Sequence, residues 1–381
     1  MLFDQRPKNS PRDMYNYTSE LARLKSAIKK HSPLIIIDGL RRTGKTSMLL
    51  TATIGDKKKV SDPVVIVDLR VFLDVAYASR KDLIEQLERA FGALYSKQFS
   101  SGRKLLNWLK KVKGVQISDR GIGLSWGGKE AVDLASLFDE MNAWAVKEGK
   151  HVVVAFDEAQ ELRKVSGVDS RRLFAHVYDY CRNITLLLTG SAVGLLHKYL
   201  GEEDVEAALY GRHSVKIHLD PLPNNRSKDF LVKGFKQAKI NLDDPEKLAA
   251  IDRAVARLDG IIGWLNLFGV ASLENGSPNN RAIEYAAKIG KEIARKELNY
   301  FLVGKETAKT RYEGIIRFLS FTPATSWSAI KKSLEASEGR KLPDTTISDL
   351  LGKLVDSSFL MKESDAYMIA DPLLAEAYRE L

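Results

Sequence analysis

Residues 39–46 read Gly-Leu-Arg-Arg-Thr-Gly-Lys-Thr. Two glycines, a lysine and a threonine occupy the fixed positions of G-x-x-x-x-G-K-[ST], a loop that cradles phosphate. Each residue type has a physical reason. Gly39 and Gly44 let backbone N–H groups approach an anion with no side chain in the way, and the following helix points its positive end at the same place. Lys45 can reach β- and γ-phosphates, and the Thr46 hydroxyl can hold Mg²⁺. A second pair completes the chemistry. Residues 151–158 read His-Val-Val-Val-Ala-Phe-Asp-Glu, an apolar strand ending in two acids. Ligands bind α/β sheets at the C-terminal ends of strands. The expectation is that Asp157 binds Mg²⁺, directly or through water, and that Glu158 orients and polarises an attacking water, a task GTPases usually give to Gln.

These side chains need a scaffold. Apolar, β-branched runs at 34–38, 64–68, 151–156, 184–189 and 214–219 read as strands. Helical patterns lie between or beside them at 19–30, 45–53, 80–96, 131–148, 170–182 and 192–200. Alternation of this kind predicts an α/β fold with a parallel sheet wound by helices. Strand 64–68 lies in sequence between the phosphate-loop strand and the Asp-Glu strand. If it is also inserted between them in space, the chain falls with P-loop ATPases that use a catalytic glutamate, not with kinases and GTPases. No Asn-Lys-x-Asp guanine signature occurs. After Pro221-Leu222-Pro223 the pattern becomes helical through residue 300. From about 306, helices at 308–320, 326–337 and 345–357 precede strand-like pieces 359–362 and 366–369 around Glu363-Ser364-Asp365. Three helices and a two-stranded wing predict a winged helix. The expected domains are 1–222, a P-loop ATPase domain with an insertion at 97–130; 223–303, a helical lid; and 304–381, the winged helix.

The 381 residues are 44% apolar, enough for real cores, and no run approaches the roughly eighteen apolar residues of a membrane span. The N-terminus lacks the apolar core of a signal peptide. Cys181 is the only cysteine, which argues against an intrachain disulfide or a cysteine-based metal site. A cytoplasmic protein with no membrane association is expected. Formal net charge is +10. Segment 97–129 carries Lys97, Arg103, Lys104, Lys110, Lys111, Lys113, Arg120 and Lys129 against Asp119 alone. Lys104–Lys113 has an amphipathic helix pattern, and Val115–Ser118 with Ile122–Trp126 reads as a hairpin. With Trp108 and Trp126, this segment could bind a polyanion or partner; a solvated face with two packed tryptophans fits equally.

Several stretches together resemble the archaeal ATPase family, within the AAA+-related STAND class of P-loop NTPases. Arg6-Pro7-Lys8 with Asp13, then Glu20-Leu21, is similar to the family's N-terminal segment, which covers the adenine. Gly39 to Ser47 resembles its phosphate loop, including the paired Arg41 and Arg42. Phe156-Asp157-Glu158-Ala159-Gln160 is similar to its Walker B strand, and Leu188 to Leu196 to its sensor-1 strand end. Leu209-Tyr210-Gly211-Arg212 with Leu219 to Leu222 resembles its Gly-Arg signature, Asp259 to Leu265 its lid motif, and Tyr367 to Leu373 the end of its winged helix. Two positions depart: Tyr17-Thr18 stands where relatives often have Arg-Glu, and Ile262 stands at a usual proline. The resemblance implies binding and hydrolysis of ATP to ADP, with Mg²⁺, coupled to domain movement. It implies nucleotide contacts at Arg6, Pro7, Gly39, Arg41, Arg42, Thr43, Gly44, Lys45, Thr46 and Ser47, with metal at Thr46 and Asp157. Chemistry falls to Glu158 and Lys45, and Thr189 or Ser191 acts as sensor.

The leading expectation is an ATPase switch with ATP as ligand and a protein partner of unknown identity. Arg212 is a candidate γ-phosphate contact, in cis or in trans, against the alternative of a surface salt bridge. The second reading is an ATP-regulated DNA-binding protein. Its difficulty is the third winged-helix helix: Thr345 to Asp356 holds one base and two acids, where a major-groove reader needs basic and amide side chains. The segment's basic charge, or Arg340 and Lys341, would have to serve DNA instead. A helicase is rejected, because residues 224–381 offer no second sheet domain.

Overall fold

The computed structural model describes residues 1–55, 62–95, 100–118, 121–124, 131–202, 204–322 and 324–380. The first part of the chain runs α1 (Thr18–Lys29), β1 (Leu34–Gly39), α2 (Lys45–Thr53), β2 (Val64–Asp68), α3 (Arg80–Tyr95), α4 (Ser100–Leu109), β3 (Val115–Ser118), β4 (Gly121–Leu124), α5 (Leu134–Glu148), β5 (Val152–Asp157), α6 (Ser170–Tyr180), β6 (Ile184–Gly190), α7 (Val193–Leu200) and β7 (Val215–Leu219). Helices α8 (Asn224–Gln237), α9 (Pro245–Leu258), α10 (Ile262–Glu274) and α11 (Asn280–Leu302) follow. Last come α12 (Lys309–Phe321), β8 (Thr325–Ser326), α13 (Trp327–Glu338), α14 (Asp344–Asp356), β9 (Leu360–Glu363), β10 (Ala366–Ile369) and α15 (Pro372–Arg379).

The main sheet has the order β2-β5-β6-β1-β7, with every neighbouring pair parallel. One strand does stand between the phosphate-loop strand and the Asp-Glu strand, but it is β6. The condition set on strand 64–68 is met by β6 instead: β2 lies beyond β5 at the sheet edge. Burial gives the reason. Strand β6 is buried along its whole length, as a strand covered on both faces must be, whereas Ile66 and Asp68 of β2 are partly exposed. Alternation divides the sheet's side chains between two cores. Ile36, Val65, Val154 and Leu188 face α3, α5, α6 and the small hairpin; Ile35, Ile37, Val153 and Leu187 face α1, α2 and the helices from α8 onward. The second core is continuous across residue 222.

The C-terminal part packs α12, α13 and α14 on a β8-β10-β9 sheet, a winged helix as expected. Residues 104–113 differ from expectation. Helix α4 ends at Leu109, and the chain turns through Gly114, whose φ is 81°, into β3. Lys110, Lys111 and Lys113 therefore sit on this exposed turn, while Leu109 and Val112 are buried beneath it. Trp108 donates its indole N–H to Glu140, 2.7 Å away, with Lys111 over its ring. The hairpin forms as β3 and β4. Lys97, Asp119, Arg120, Trp126 and Lys129 lie outside the described residues. Helix α6 stops at Tyr180, and buried Cys181 caps it. Among the described residues no helix is long and apolar enough to cross a membrane.

Candidate active site

Strand β1 ends in the phosphate loop, and α2 begins directly behind it with Gly44 as its N-cap. Gly39 takes φ 142°, and a Cβ there would stand 2.4 Å from the Leu219 carbonyl oxygen on β7, so the position excludes any larger residue. Arg42 adopts the left-handed region, with φ 66°. The Lys45 ammonium, buried, donates to the carbonyl oxygens of Gly39 at 3.0 Å and Leu40 at 2.6 Å. Burial pushes its pKa down, opposed by the charge of Glu158.

The register of the sheet brings β5 alongside. Thr46 Oγ1 donates to Asp157 Oδ2 at 3.0 Å, and Thr189 Oγ1, from β6, donates to the other oxygen. Burial and then the neighbouring Glu158 charge raise the Asp157 pKa, while hydrogen bonds and Arg70 oppose the rise. Glu158 itself holds a left-handed backbone, φ 59°. Such strain in a non-glycine residue persists only where its surroundings impose it. Its N–H donates to Thr189 Oγ1 at 3.1 Å. Its carboxylate accepts from Ser191 N at 3.0 Å, Ser191 Oγ at 2.6 Å and Gln160 Nε2 at 2.6 Å. Burial works against the Glu158 charge, but Lys45 and these hydrogen bonds outweigh it, and the net pKa is lowered. An ionised, buried carboxylate beside a lysine is suited to accept a proton from water.

These groups open on one cavity of about 810 Å³. That is the size of a pocket for a cofactor-sized molecule. Its walls carry Arg6, Pro7, Arg41, Arg42, Thr43, Gly44, Lys45, Thr46, Ser47, Glu158 and Ser191. Asp157, Thr189 and Gly39 are placed behind this wall, not on it. The N-terminal segment is held over the opening at several points. Lys8 N donates to Ser47 Oγ at 3.0 Å, Asn266 Nδ2 donates to the Asp4 carbonyl at 2.8 Å, and Phe3 inserts between Phe230 and Phe235. Tyr17, at the departure from the family pattern, is buried, lines the cavity and donates to the Asp220 carbonyl. Ile262 is the first residue of α10. Gly263 N donates to the Arg42 carbonyl at 3.1 Å, and a Cβ on Gly263 would meet Arg42 Cβ at 2.7 Å. The lid motif thus touches the phosphate loop through a glycine.

Arg212 is placed elsewhere. It pairs with Asp179 through Nε at 3.0 Å and Nη2 at 2.6 Å, also donates to the Ala208 carbonyl, and does not line the cavity. Within this chain it is the salt bridge of the alternative reading, not a neighbour of Lys45 or Glu158.

Sequence reasoning missed two groups of cavity residues. Arg70, just past β2, lines the pocket with Nε 3.8 Å from Asp157 Oδ2. Its place at a strand's C-terminal end was a usable signal. Tyr285, Ile289, Ile293, Glu297 and Tyr300 of α11 also line it. No local pattern marks them, because they meet the loop only through the packing of distant segments.

A sheet with one strand between the phosphate-loop strand and a strand ending in two acids, followed by helices and a winged helix, defines an AAA+-related P-loop ATPase. The family described as an ATPase domain predominantly from Archaea matches residues 14–267, and the chain belongs to it. A second family, the MCM protein C-terminal winged helix-turn-helix domain, matches residues 306–370. Among solved structures, a Walker-type ATPase of Pyrococcus abyssi is similar over 100% of both chains, with 30% identity and a TM-score of 0.79. The ORC2 protein of Aeropyrum pernix is similar in fold, with 14% identity, a TM-score of 0.59, and coverage of 100% of this chain and 95% of that one. No curated protein matches the chain in sequence. The protein is an ATP-hydrolysing enzyme.

Proposed function

We propose that this ATPase is a switch of the STAND type, in which nucleotide state sets the position of the helices 223–303 and of the winged helix 304–381 against the sheet domain 1–222. The observation that carries the reading is what the paired arginines of the phosphate loop do. Arg41 Nη1 donates to the Ser357 carbonyl at 2.8 Å, and its guanidinium lies 4.4 Å from the Phe359 ring centre, both in the winged helix. Arg42 pairs with Glu297 of α11 at 2.9 Å and stacks 4.2 Å over Trp264. The Trp264 indole N–H donates to Asp371, which caps α15. Side chains expected to meet phosphates thus grip the two parts proposed to move. A nucleotide that draws either arginine inward loosens that grip.

In this reading Arg6 and Pro7 border the base, residues 39–47 bind the phosphates, and Ser191 senses the γ-phosphate. Thr46 and Asp157 fit Mg²⁺: a hydroxyl and a carboxylate oxygen already in contact are hard donors, with Thr46 on the cavity wall. When bound, the ion would neutralise charge on the β- and γ-oxygens. Glu158 takes the proton of the attacking water. The switch acts on a protein partner. DNA is the second reading, and the exposed Arg103, Lys104, Lys110, Lys111 and Lys113 favour it over α14.

The test uses Glu158→Gln, which keeps the side chain's shape, removes its basicity and slows hydrolysis on the order of a hundredfold or more. Small-angle scattering of this variant in MgATP should give a different particle shape from the same variant in MgADP. Identical profiles, with binding of both nucleotides confirmed by calorimetry, would leave an ATPase without the proposed switch.

A further inference from the structure

We propose that Arg70 is a catalytic residue of ATP hydrolysis, the cation that meets the γ-phosphate from the side of the site opposite Lys45. The reaction needs charge there. Water attacks the γ-phosphorus, the bond to the β,γ-bridging oxygen breaks, ADP leaves with that electron pair, and the proton of water passes by way of Glu158 to the phosphate formed. Negative charge is spread over the transferring phosphoryl oxygens during this step, and fixed cations aimed at them lower the barrier. Lys45 faces that position from the phosphate loop. Arg212, bound to Asp179, does not face it within this chain.

Arg70 is built into the right place. Leu69 N donates to the Asp157 carbonyl at 3.1 Å, which fastens the end of β2 to the acid pair. Lys164, six residues past Glu158, donates to the Phe72 carbonyl at 2.7 Å and the Leu73 carbonyl at 3.3 Å, and pairs with Glu161 at 2.7 Å. Leu69 and Phe72 are buried beneath this turn. The backbone that carries Arg70 is therefore fixed to the backbone that carries Asp157 and Glu158.

The tip of the side chain is half-exposed and lines the cavity. Asp68 holds one edge of the guanidinium, Nε at 2.8 Å and Nη2 at 2.5 Å. Nη1 has no hydrogen-bond partner among the described residues. A planar fork oriented along one edge and free along the other can meet a phosphoryl oxygen without reorganising, as a lysine cannot. Of the other cations of the wall, Arg6 is paired with Asp4 and Lys164 with Glu161, while Arg41 and Arg42, the ties that a nucleotide would loosen, come from the phosphate loop itself.

The alternative is that Arg70 only locks its turn through Asp68. Two variants separate these roles. Arg70→Ala should lower turnover at saturating MgATP by about 100-fold or more, the scale for losing one group that stabilises developing charge. Its ADP affinity and melting temperature should stay near wild type, and Arg70→Lys should recover part of the rate. Asp68→Asn loosens the orientation of the fork but keeps the cation, so its turnover should fall clearly less than that of Arg70→Ala. A binding readout is independent of turnover. By calorimetry, wild type should bind ADP with aluminium fluoride, a mimic of the transferring group, more tightly than ADP alone, and Arg70→Ala should lose that gain. Normal turnover in Arg70→Ala overturns the proposal, as does an equal loss of rate and melting temperature in Arg70→Ala and Asp68→Asn. The switch reading is untouched by either result, since it rests on Arg41, Arg42 and a change of shape.

Discussion

The phosphate loop and helix α14 spend their charges in opposite ways. Lys45 is buried against backbone carbonyls, and Arg41 and Arg42 reach across to the winged helix and to α11. On α14, Lys353 pairs with Asp349 one turn away, and Asp356 pairs with Lys198 of α7 at 2.6 Å. The end of α14 is moreover closed by the sheet domain: Val193 N donates to Ser358 Oγ at 3.1 Å, and Gly194 lies so close to Asp356 that a Cβ would stand 2.8 Å from it. In the loop, charge is aimed into a cavity or between parts of the molecule. On α14 one pair closes within the helix and the other fastens it to α7, so the helix serves as a surface that the ATPase part holds. The difference explains how a helix in the position of a DNA reader carries so few bases.

The largest expected effect breaks this contrast at its strong end. Lys45→Ala removes the buried cation of the phosphate site, and losing one partner of such a pair typically costs about 2–5 kcal/mol or more, at least a roughly 30-fold loss of ADP and ATP affinity. Calorimetry reads it directly. Lys353→Ala on α14 removes an exposed, self-paired charge and should leave nucleotide affinity unaltered. Equal effects of the two, or none from Lys45→Ala, would show that the loop is not the phosphate site.

A smaller effect is expected on the other basic surface. If DNA binds at all, Lys110, Lys111 and Lys113 replaced together by Glu should weaken it and flatten its salt dependence, by roughly 0.9 in the log–log slope for each phosphate no longer neutralised. Arg340→Glu should do less, because Arg340 is already paired with Glu338 at 3.0 Å. Gel-shift titrations at several salt concentrations decide between them. Binding that survives the triple change and is lost with Arg340→Glu would return the winged helix to the role of DNA reader.

Much of this architecture was legible because local patterns carried it. All five strands of the main sheet and the helices around them follow from apolar runs, and each stands within a few residues of its reading. The phosphate loop declares itself through glycines that no other residue could replace. Strand order was not legible. Nothing in the residues of β2 or β6 states which one enters between β1 and β5; only their burial, a property of the assembled sheet, tells them apart. The arginine ties were hidden for the same reason. Arg42 and Glu297 are distant in sequence, and the composition of α11 marks an amphipathic helix, not a latch. Arg70 was within reach of the rule that strand ends bear ligand residues, and was passed over because it belongs to no pattern of spacing.

The smallest expected effect concerns the joint between the two regions compared. Buried Asp38, the residue before Gly39, accepts from His197 Nε2 of α7 at 2.8 Å and from His218 Nδ1 of β7 at 2.5 Å. His197 also faces Glu202, and His218 faces Asp220, with Lys216 opposing the charge on His197. The next residue of α7, Lys198, is the partner of Asp356 on α14. The bonds to Asp38 raise both histidine pKa values above the usual 6.5, against the effect of burial. Folding therefore favours the protonated rings. Their contribution is complete below the unfolded value of 6.5 and is lost as pH rises through the raised folded values. Asp38 has the opposite sign: burial raises its pKa, the two histidines outweigh burial, and its net lowering gives stability that is lost only well into acid, below 3.8. The melting temperature should fall by a few degrees as pH rises from 6.5 through the folded histidine values, because His218 is half-exposed and its share is screened. In Asp38→Asn most of that slope should vanish, since each ring loses the bond that raises its pKa most and keeps only Glu202 or Asp220. A slope unchanged in Asp38→Asn would place the titration outside this joint and remove the link it makes between the phosphate-loop strand and the helix that holds α14.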